Sequence, residues 1–263
     1  MTDEKQLQEN YDWARSRYHT EYNAYLAFYK IKDCLSQAKG DSVLDLACGD
    51  GTLTAMLRKR FKRIVGLDAS SKHLAEARLK VPEAEFVESL IEDYKCDERF
   101  GTVLMLEILE HVVDPVAVLR KAATFLEPGG VLIVHVPNAH AVNRKIAVLM
   151  GTLKNCEELS PFDLQVAGHR RSYTMESLRT DIAKANLRVL EMGGIFYKTL
   201  STAQMDWFLK NGLWQDGGFG WGRVGEEQTK NWKDEFCRAC YEFGKERPED
   251  CNLLYAVISR DQK

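Results

Sequence analysis

Residues able to do chemistry cluster in a few places along the chain. Residues 43–51, Val-Leu-Asp-Leu-Ala-Cys-Gly-Asp-Gly, join an apolar run to an acid and then to small residues that open a helix-like segment. A strand that delivers a tight glycine turn beneath a helix N-terminus is how an α/β protein admits a nucleotide-like ligand. A second apolar run, Ile64-Val65-Gly66-Leu67, ends in Asp68. In doubly wound folds that spacing puts a carboxylate beside the hydroxyls of a ribose. The bland alternative is an ordinary strand–helix–strand unit with a glycine turn. Glu107, Glu110 and His111 stand at i, i+3 and i+4, which gathers them on one side if the segment coils into a helical turn. Gly168-His169-Arg170-Arg171-Ser172-Tyr173 brings two arginines and a histidine to the threshold of a helix capped by Thr174. Such a cluster suits a carboxylate or a phosphate, although an arginine pairing with a surface acid explains it equally well. Cys237-x-x-Cys240 has no second ligand pair, and the flanking Trp232, Phe236 and Tyr241 point to a helix packing small apolar groups inward.

These side chains need a scaffold, and the hydrophobic pattern predicts one. Strands are expected at 42–47, 63–68, 84–89, 101–107, 131–137, 187–192 and 253–259. Helices are expected at 51–60, at 71–80 behind Ser70 or Ser71, from Asp114-Pro115 to 126, near 140–151, and from Thr174 to 185. Pro128-Gly129-Gly130 reads as a turn. This alternation implies an α/β fold with a mostly parallel sheet and helices on both faces. Residues 3–38 read as one or two aromatic-rich helices whose stripe packs on the main domain, with Tyr11, Tyr18 or His19 as a possible lid. The expected division is a helical cap at 1–38, a core at 39–194, a helical substrate-side insertion at 195–250 and the final strand at 251–263. The glycine-rich loop at 216–222 lacks the Lys-Ser/Thr ending of a phosphate-binding P-loop.

Composition narrows the class. A chain of 263 residues, 45% hydrophobic and 29% charged, can bury a substantial core. The net charge of −3 does not favour nucleic acid or an anionic membrane as partner. The basic run at 58–63 falls where a helix should end, and cations there complement the helix dipole. There is no long apolar stretch and no signal-peptide pattern, so no membrane insertion is expected. Seven scattered cysteines suggest reduced thiols and a cytoplasmic setting.

Over residues 40–200 the chain resembles the class I S-adenosylmethionine-dependent methyltransferases, in particular the ubiquinone-biosynthesis O-methyltransferase branch. Three stretches join the glycine segment and Asp68 in carrying the resemblance: Leu104–Pro115 with its Glu-His-Val, Leu126–Val134 with its Pro-Gly-Gly, and Val136-Pro137-Asn138. It implies a Rossmann-like fold with a seven-stranded, mostly parallel sheet. It implies that Asp45 lies near the methionine amino group, that Gly49 and Gly51 admit backbone approach, and that Asp68 accepts from the ribose hydroxyls. Ala69 would lie beside the adenine, Ser89 and Leu90 would bracket it, and Leu106 would contribute backbone. Ala47 stands where the family has its first glycine, so the turn must accommodate a Cβ there.

The resemblance also frames the chemistry. A sulfonium methyl is already activated, so the protein must chiefly align the acceptor and exclude water. An oxygen acceptor must also lose a proton, and His111 is the expected base. The acceptor-side residues would be Tyr18, His135, Asn138, His169, Arg170, Arg171 and Tyr173. The expected function is O-methylation of a small polar metabolite, with or without a carboxylate or phosphate, in a protein compatible with a homo-oligomer. Three alternatives stand beside it: an N-methyltransferase, a metal-dependent RNA 2′-O-methyltransferase, and a non-catalytic cofactor-binding subunit. No metal is expected in the main reading. In the metal reading Glu107, Glu110 and His111, completed by His135, His140 or His169, would hold Mg²⁺ or Mn²⁺.

Overall fold

The computed structural model describes residues 20–212 and 232–260. Helix α1 (Glu21–Gln37) precedes the core, with the Thr20 hydroxyl accepting from the Asn23 amide at 3.2 Å to cap it. The core then alternates β1 (Ser42–Leu46), α2 (Thr52–Leu57), β2 (Arg63–Asp68), α3 (Ser71–Lys80), β3 (Glu85–Glu88) and β4 (Phe100–Leu106). It continues through α4 (Pro115–Ala123), β5 (Leu126–Pro137), α5 (Val142–Leu149), α6 (Met175–Lys184) and β6 (Leu187–Tyr197). Helices α7 (Thr202–Asn211) and α8 (Trp232–Glu246) follow, and β7 (Cys251–Arg260) completes the sheet.

The seven strands lie in the order β3-β2-β1-β4-β5-β7-β6, parallel except for β7, which runs antiparallel to both neighbours. Strand succession reverses direction between β1 and β4, and a ligand crevice opens beyond the carboxyl ends of the strands at such a switch point. Period-two alternation sends each strand's side chains to two covered faces. Leu44, Leu46, Val103, Met105, Leu132 and Val134 pack toward α4 and α6. Val43, Leu104, Val131 and Ile133 pack toward Ile31 and Cys34 of α1 and Leu57 of α2.

Several boundaries differ from the sequence expectation. Helix α2 ends at Leu57, short of 60. Strand β5 begins at Leu126 and passes through Pro128-Gly129-Gly130, because the register breaks between the Phe100–Leu126 and Thr102–Val131 pairs and a bulge absorbs the extra residues. Strand β6 runs to Tyr197 instead of ending at 192, paired with β7 throughout most of its length. Residues 195–197, read from the sequence as the start of the insertion, therefore belong to the sheet. Helix α8 buries Cys237 and stacks Tyr241 on Tyr29 of α1, with ring centroids 4.5 Å apart. All seven cysteines are free thiols. Among the described residues no helix is long and apolar enough to cross a membrane. Tyr11, Tyr18, His19, Trp214, Trp221 and the loop at 216–222 lie outside the described residues.

Candidate active site

The carboxyl ends of the parallel strands open into a cavity of about 1180 Å³. That exceeds the ~300–1,000 Å³ of a pocket for one small ligand, so it has room for two reactants side by side. One half lies over β1, β2 and β3, the other over β4, β5 and β6 beneath α1 and α7.

The first half is built mainly of backbone. Leaving β1, the chain enters left-handed conformation at Ala47 (φ 56°) and Gly49 (φ 55°), and again at Gly51 (φ 75°), which caps α2. The Ala47 Cβ is thus accommodated where the resemblance implies a glycine, at the cost of a conformation that non-glycine residues disfavour. A Cβ at Gly49 would meet nothing within 4 Å, which leaves its face open to the cavity. A Cβ at Gly51 would stand 2.9 Å from Ala77, so that glycine lets α2 and α3 approach. Asp68 ties the turn down: one carboxylate oxygen accepts from the Gly49 amide and the other from the Ser70 amide, each at 2.9 Å. Ala47, Gly49, Asp68, Ala69, Ser89 and Leu90 all line the cavity.

Asp45, Gly51 and Leu106, expected at the cofactor, do not line it. Strand parity turns Asp45 inward, where it is buried and accepts from the Thr54 hydroxyl at 2.7 Å. Burial raises its carboxyl to about 6, against the pull of that hydrogen bond. Leu106 shares that face of the sheet and packs with the Ile31–Leu57 cluster.

The second half is built of charge. Glu107, the first residue beyond β4, adopts φ 61° and accepts from the Lys30 ammonium of α1. Burial pushes its carboxyl up, but Lys30 outweighs that and leaves it lowered. The left-handed residue prevents a continuous helical turn over 107–111, so Glu107 does not join Glu110 and His111 as the spacing suggested. Instead His169, from the segment before α6, completes the group: ligand atoms of Glu110, His111 and His169 lie within 4.8 Å of one another. Burial, reinforced by Glu107, raises the Glu110 carboxyl far above its ordinary range. Among the described residues neither Glu110 side-chain oxygen has a hydrogen-bond partner of good geometry, and its own backbone together with the more distant Lys30 and Arg171 only partly offsets the burial. Burial lowers His111 to about 4, with His169 adding to the effect, and lowers His169 as well. His111 Nδ1 lies 3.3 Å from the Gly168 carbonyl, which assigns the proton to Nδ1 and the acceptor lone pair to Nε2.

Five expected acceptor residues are otherwise employed. Arg171 donates to the carbonyls of Leu109, Val112 and Val113, and Arg170 Nε to that of His111, so both guanidiniums bind the loop after β4. Neither lines the cavity. Tyr173 is buried with its hydroxyl 3.1 Å from Asp181. His135 shares the β5 face of Ile133, and that parity places it under α1, with Cys34 Sγ at 3.6 Å and Asp33 at 3.8 Å from Nε2. Asn138 does line the cavity, but its amide binds the backbone of Glu249, Cys251 and His140.

Sequence reasoning missed two lysines. Lys30 sits among Leu26, Tyr29, Asp33 and Cys34 on the buried side of α1. A lysine on a mainly apolar helical stripe was the available signal. Lys198 follows β6, is 5% exposed and lines the cavity. Nothing in its local sequence distinguishes it.

Over residues 17–192 the chain matches the family model described as a methyltransferase domain. It is 28% identical over 169 residues to the ubiquinone biosynthesis O-methyltransferase of Parvibaculum lavamentivorans, covering 60% of this chain and 63% of that protein. The Aliivibrio fischeri enzyme of the same name is 38% identical over 97 residues, which cover 35% of this chain and 42% of that one. The chain thus spans less than two thirds of either relative. Among solved structures, the N-methyltransferase NodS of Bradyrhizobium japonicum in complex with S-adenosyl-L-homocysteine superposes with a TM-score of 0.55 at 12% identity, over 98% of this chain and 97% of that one. An S-adenosylmethionine-dependent methyltransferase from Mesorhizobium loti gives 0.58 at 14% identity, over 91% and 100% of the two chains. At such identities the likeness is one of fold.

Proposed function

The chain belongs to the methyltransferase domain family, and from that membership we propose that it transfers the methyl group of S-adenosylmethionine to an oxygen of a small polar acceptor. The observation that carries this reading is one continuous cavity with Asp68 and the open face of Gly49 at one end and Glu107 and His111 at the other. The turn suits the donor: the open space over Gly49 admits a ligand, and Asp68 has carboxylate lone pairs beyond those on Gly49 and Ser70 for ribose hydroxyls. When bound, S-adenosylmethionine supplies an electrophilic sulfonium methyl. The chain's own residues orient and exclude water; alignment in such a site contributes on the order of 7–11 kcal/mol. His111 Nε2 accepts the hydroxyl proton of the acceptor, held in orientation by the Gly168 carbonyl. The ubiquinone biosynthesis relatives favour oxygen over nitrogen.

A second reading rests on Glu110, His111 and His169. An orphaned buried carboxylate beside two imidazoles fits a divalent cation, which would satisfy Glu110 and activate an acceptor hydroxyl as a Lewis acid. There His111 would be a ligand and not the base. Titrating the protein with S-adenosylhomocysteine tests the common premise, and no binding at millimolar ligand would overturn both readings. Turnover unchanged by a chelator would eliminate the metal reading alone.

A further inference from the structure

Lys198 has no role in the chemistry described so far, and its placement is costly. It enters from the end of β6, two residues after Phe196, a buried non-glycine residue at φ 66° that turns the chain. Its ammonium donates to the Thr202 hydroxyl at 3.1 Å and lies 5.3 Å from the centroid of the Tyr22 ring. Among the described residues no carboxylate pairs with it. The acid that acts on it from a distance is Glu107, already bound to the Lys30 ammonium. Burial draws Lys198 down to about 8, so at neutral pH it is still a cation. A buried charge without a counter-ion is destabilising, and proteins retain one where a ligand supplies the opposite charge. Lys198 and the first turn of the ten-residue α7, at Ser201, Thr202 and Ala203, share the cavity wall. The backbone amides opening that helix add positive potential to the same spot.

We propose that Lys198, with the opening turn of α7, forms the subsite that receives a carboxylate or phosphate group of the methyl acceptor. The inference rests on the methyltransferase reading above and names the acceptor's charge. It also moves the anion site away from Arg170 and Arg171, whose guanidiniums hold backbone carbonyls. The sheet order assigns the subsite to the acceptor and not to the donor. A ribose at Asp68 and a methyl group near His111 place the donor over β2, β1 and β4. Lys198 lies past β5 and β7, at the end of the outermost strand. At ~4.8 Å per strand the end of β6 stands about 24 Å across the sheet from β2, and the Lys198 side chain enters the cavity from that end.

The test uses the full chain saturated with S-adenosylhomocysteine and titrated with benzoate, with its neutral isostere benzamide, and with inorganic phosphate. Wild type is compared with Lys198→Met and Lys198→Arg. Benzoate should bind wild type about tenfold or more tightly than benzamide if the group is a carboxylate, and phosphate should show the detectable binding if it is a phosphate. Lys198→Met should abolish the preference for the anion, whereas Lys198→Arg, which keeps the charge but cannot serve as a base, should preserve it. Affinity for S-adenosylhomocysteine should be the same in all three. The proposal is overturned if wild type shows no preference for either anion, if Lys198→Met retains it, or if Lys198→Met loses S-adenosylhomocysteine instead. Failure of wild type to bind S-adenosylhomocysteine would be a separate result, against the methyltransferase reading itself. Methionine matches the lysine stem and removes a buried charge, so the thermal midpoint of that variant should not fall.

Discussion

The two halves of the cavity are made in different ways. Over β1, β2 and β3, the chain between Ala47 and Leu90 supplies the wall from consecutive elements, through backbone conformation and a single carboxylate, Asp68. Over β4, β5 and β6, the wall is assembled from Lys30, Glu107, Glu110, His111, His169 and Lys198, drawn from four separate segments. The first half can hold a ligand whose shape does not vary. The second carries charges of both signs, one carboxyl held toward its ionised form (Glu107), one pushed toward its neutral form (Glu110) and two imidazoles lowered by burial, which is where acceptor specificity and proton transfer would reside. A shared ligand needs a motif, while a particular acceptor needs an arrangement.

Substitutions that act on one half and spare the other would sharpen this contrast. The largest effect is expected from His111→Ala, which should lower turnover by about 100-fold or more, within the usual range for a general base, and leave S-adenosylhomocysteine affinity intact. A parallel loss of that affinity would mean that the halves are not separable. Lys30→Met removes the partner of the half-buried Glu107 and should destabilise the fold by about 3 kcal/mol in denaturant unfolding. Adding Glu107→Leu should recover most of the loss, and no recovery would deny the pair its role. Asp68→Ala should weaken S-adenosylhomocysteine by about 1.5–3 kcal/mol, since it removes a charged acceptor and releases the Gly49 amide. An unchanged dissociation constant would remove Asp68 from the ribose.

The smallest effect compares the signs of pH dependence. Asp45, raised in the folded state to about 6 from an ordinary 3.8, destabilises the fold when ionised. Its contribution should make stability fall between about pH 4 and pH 6, and Asp45→Asn should flatten that slope. Glu107 is lowered, so it acts in the opposite sense: its stabilisation is present above its unfolded value of 4.5 and is lost as pH falls through its depressed folded value. Chemical unfolding across pH 3–7 in Asp45→Asn and in Glu107→Gln would separate the slopes, and slopes of the same sign would refute the assignment.

The fold was readable because its signals are local. Alternating apolar strands, Ser70, Asp114 and Thr174 as caps, and Pro115 in a first helical turn each act within a few residues. The errors arose where tertiary contacts overrode such signals. Pro128-Gly129-Gly130 looks like a turn, yet a bulge carries it within β5. Arg170 and Arg171 look like an anion site, yet the carbonyls left by the loop after β4 claim them. His135 and Asp45 alternate to the face that α1 and α2 cover. Parity in the strand is readable, but which layer covers each face is not.

Sequence alone determined the strand–helix alternation, the glycine turn, and Asp68 at the end of β2, because covalent spacing carries each of them. Tertiary structure decided the rest of the site. Lys30 and Glu107 are 77 residues apart in the chain, and His169 joins Glu110 and His111 only when the segment before α6 folds over the end of β4. Lys198 enters the cavity because β6 pairs with β7 as far as Tyr197. Contacts of that range follow from packing the layers together, and no local propensity encodes them.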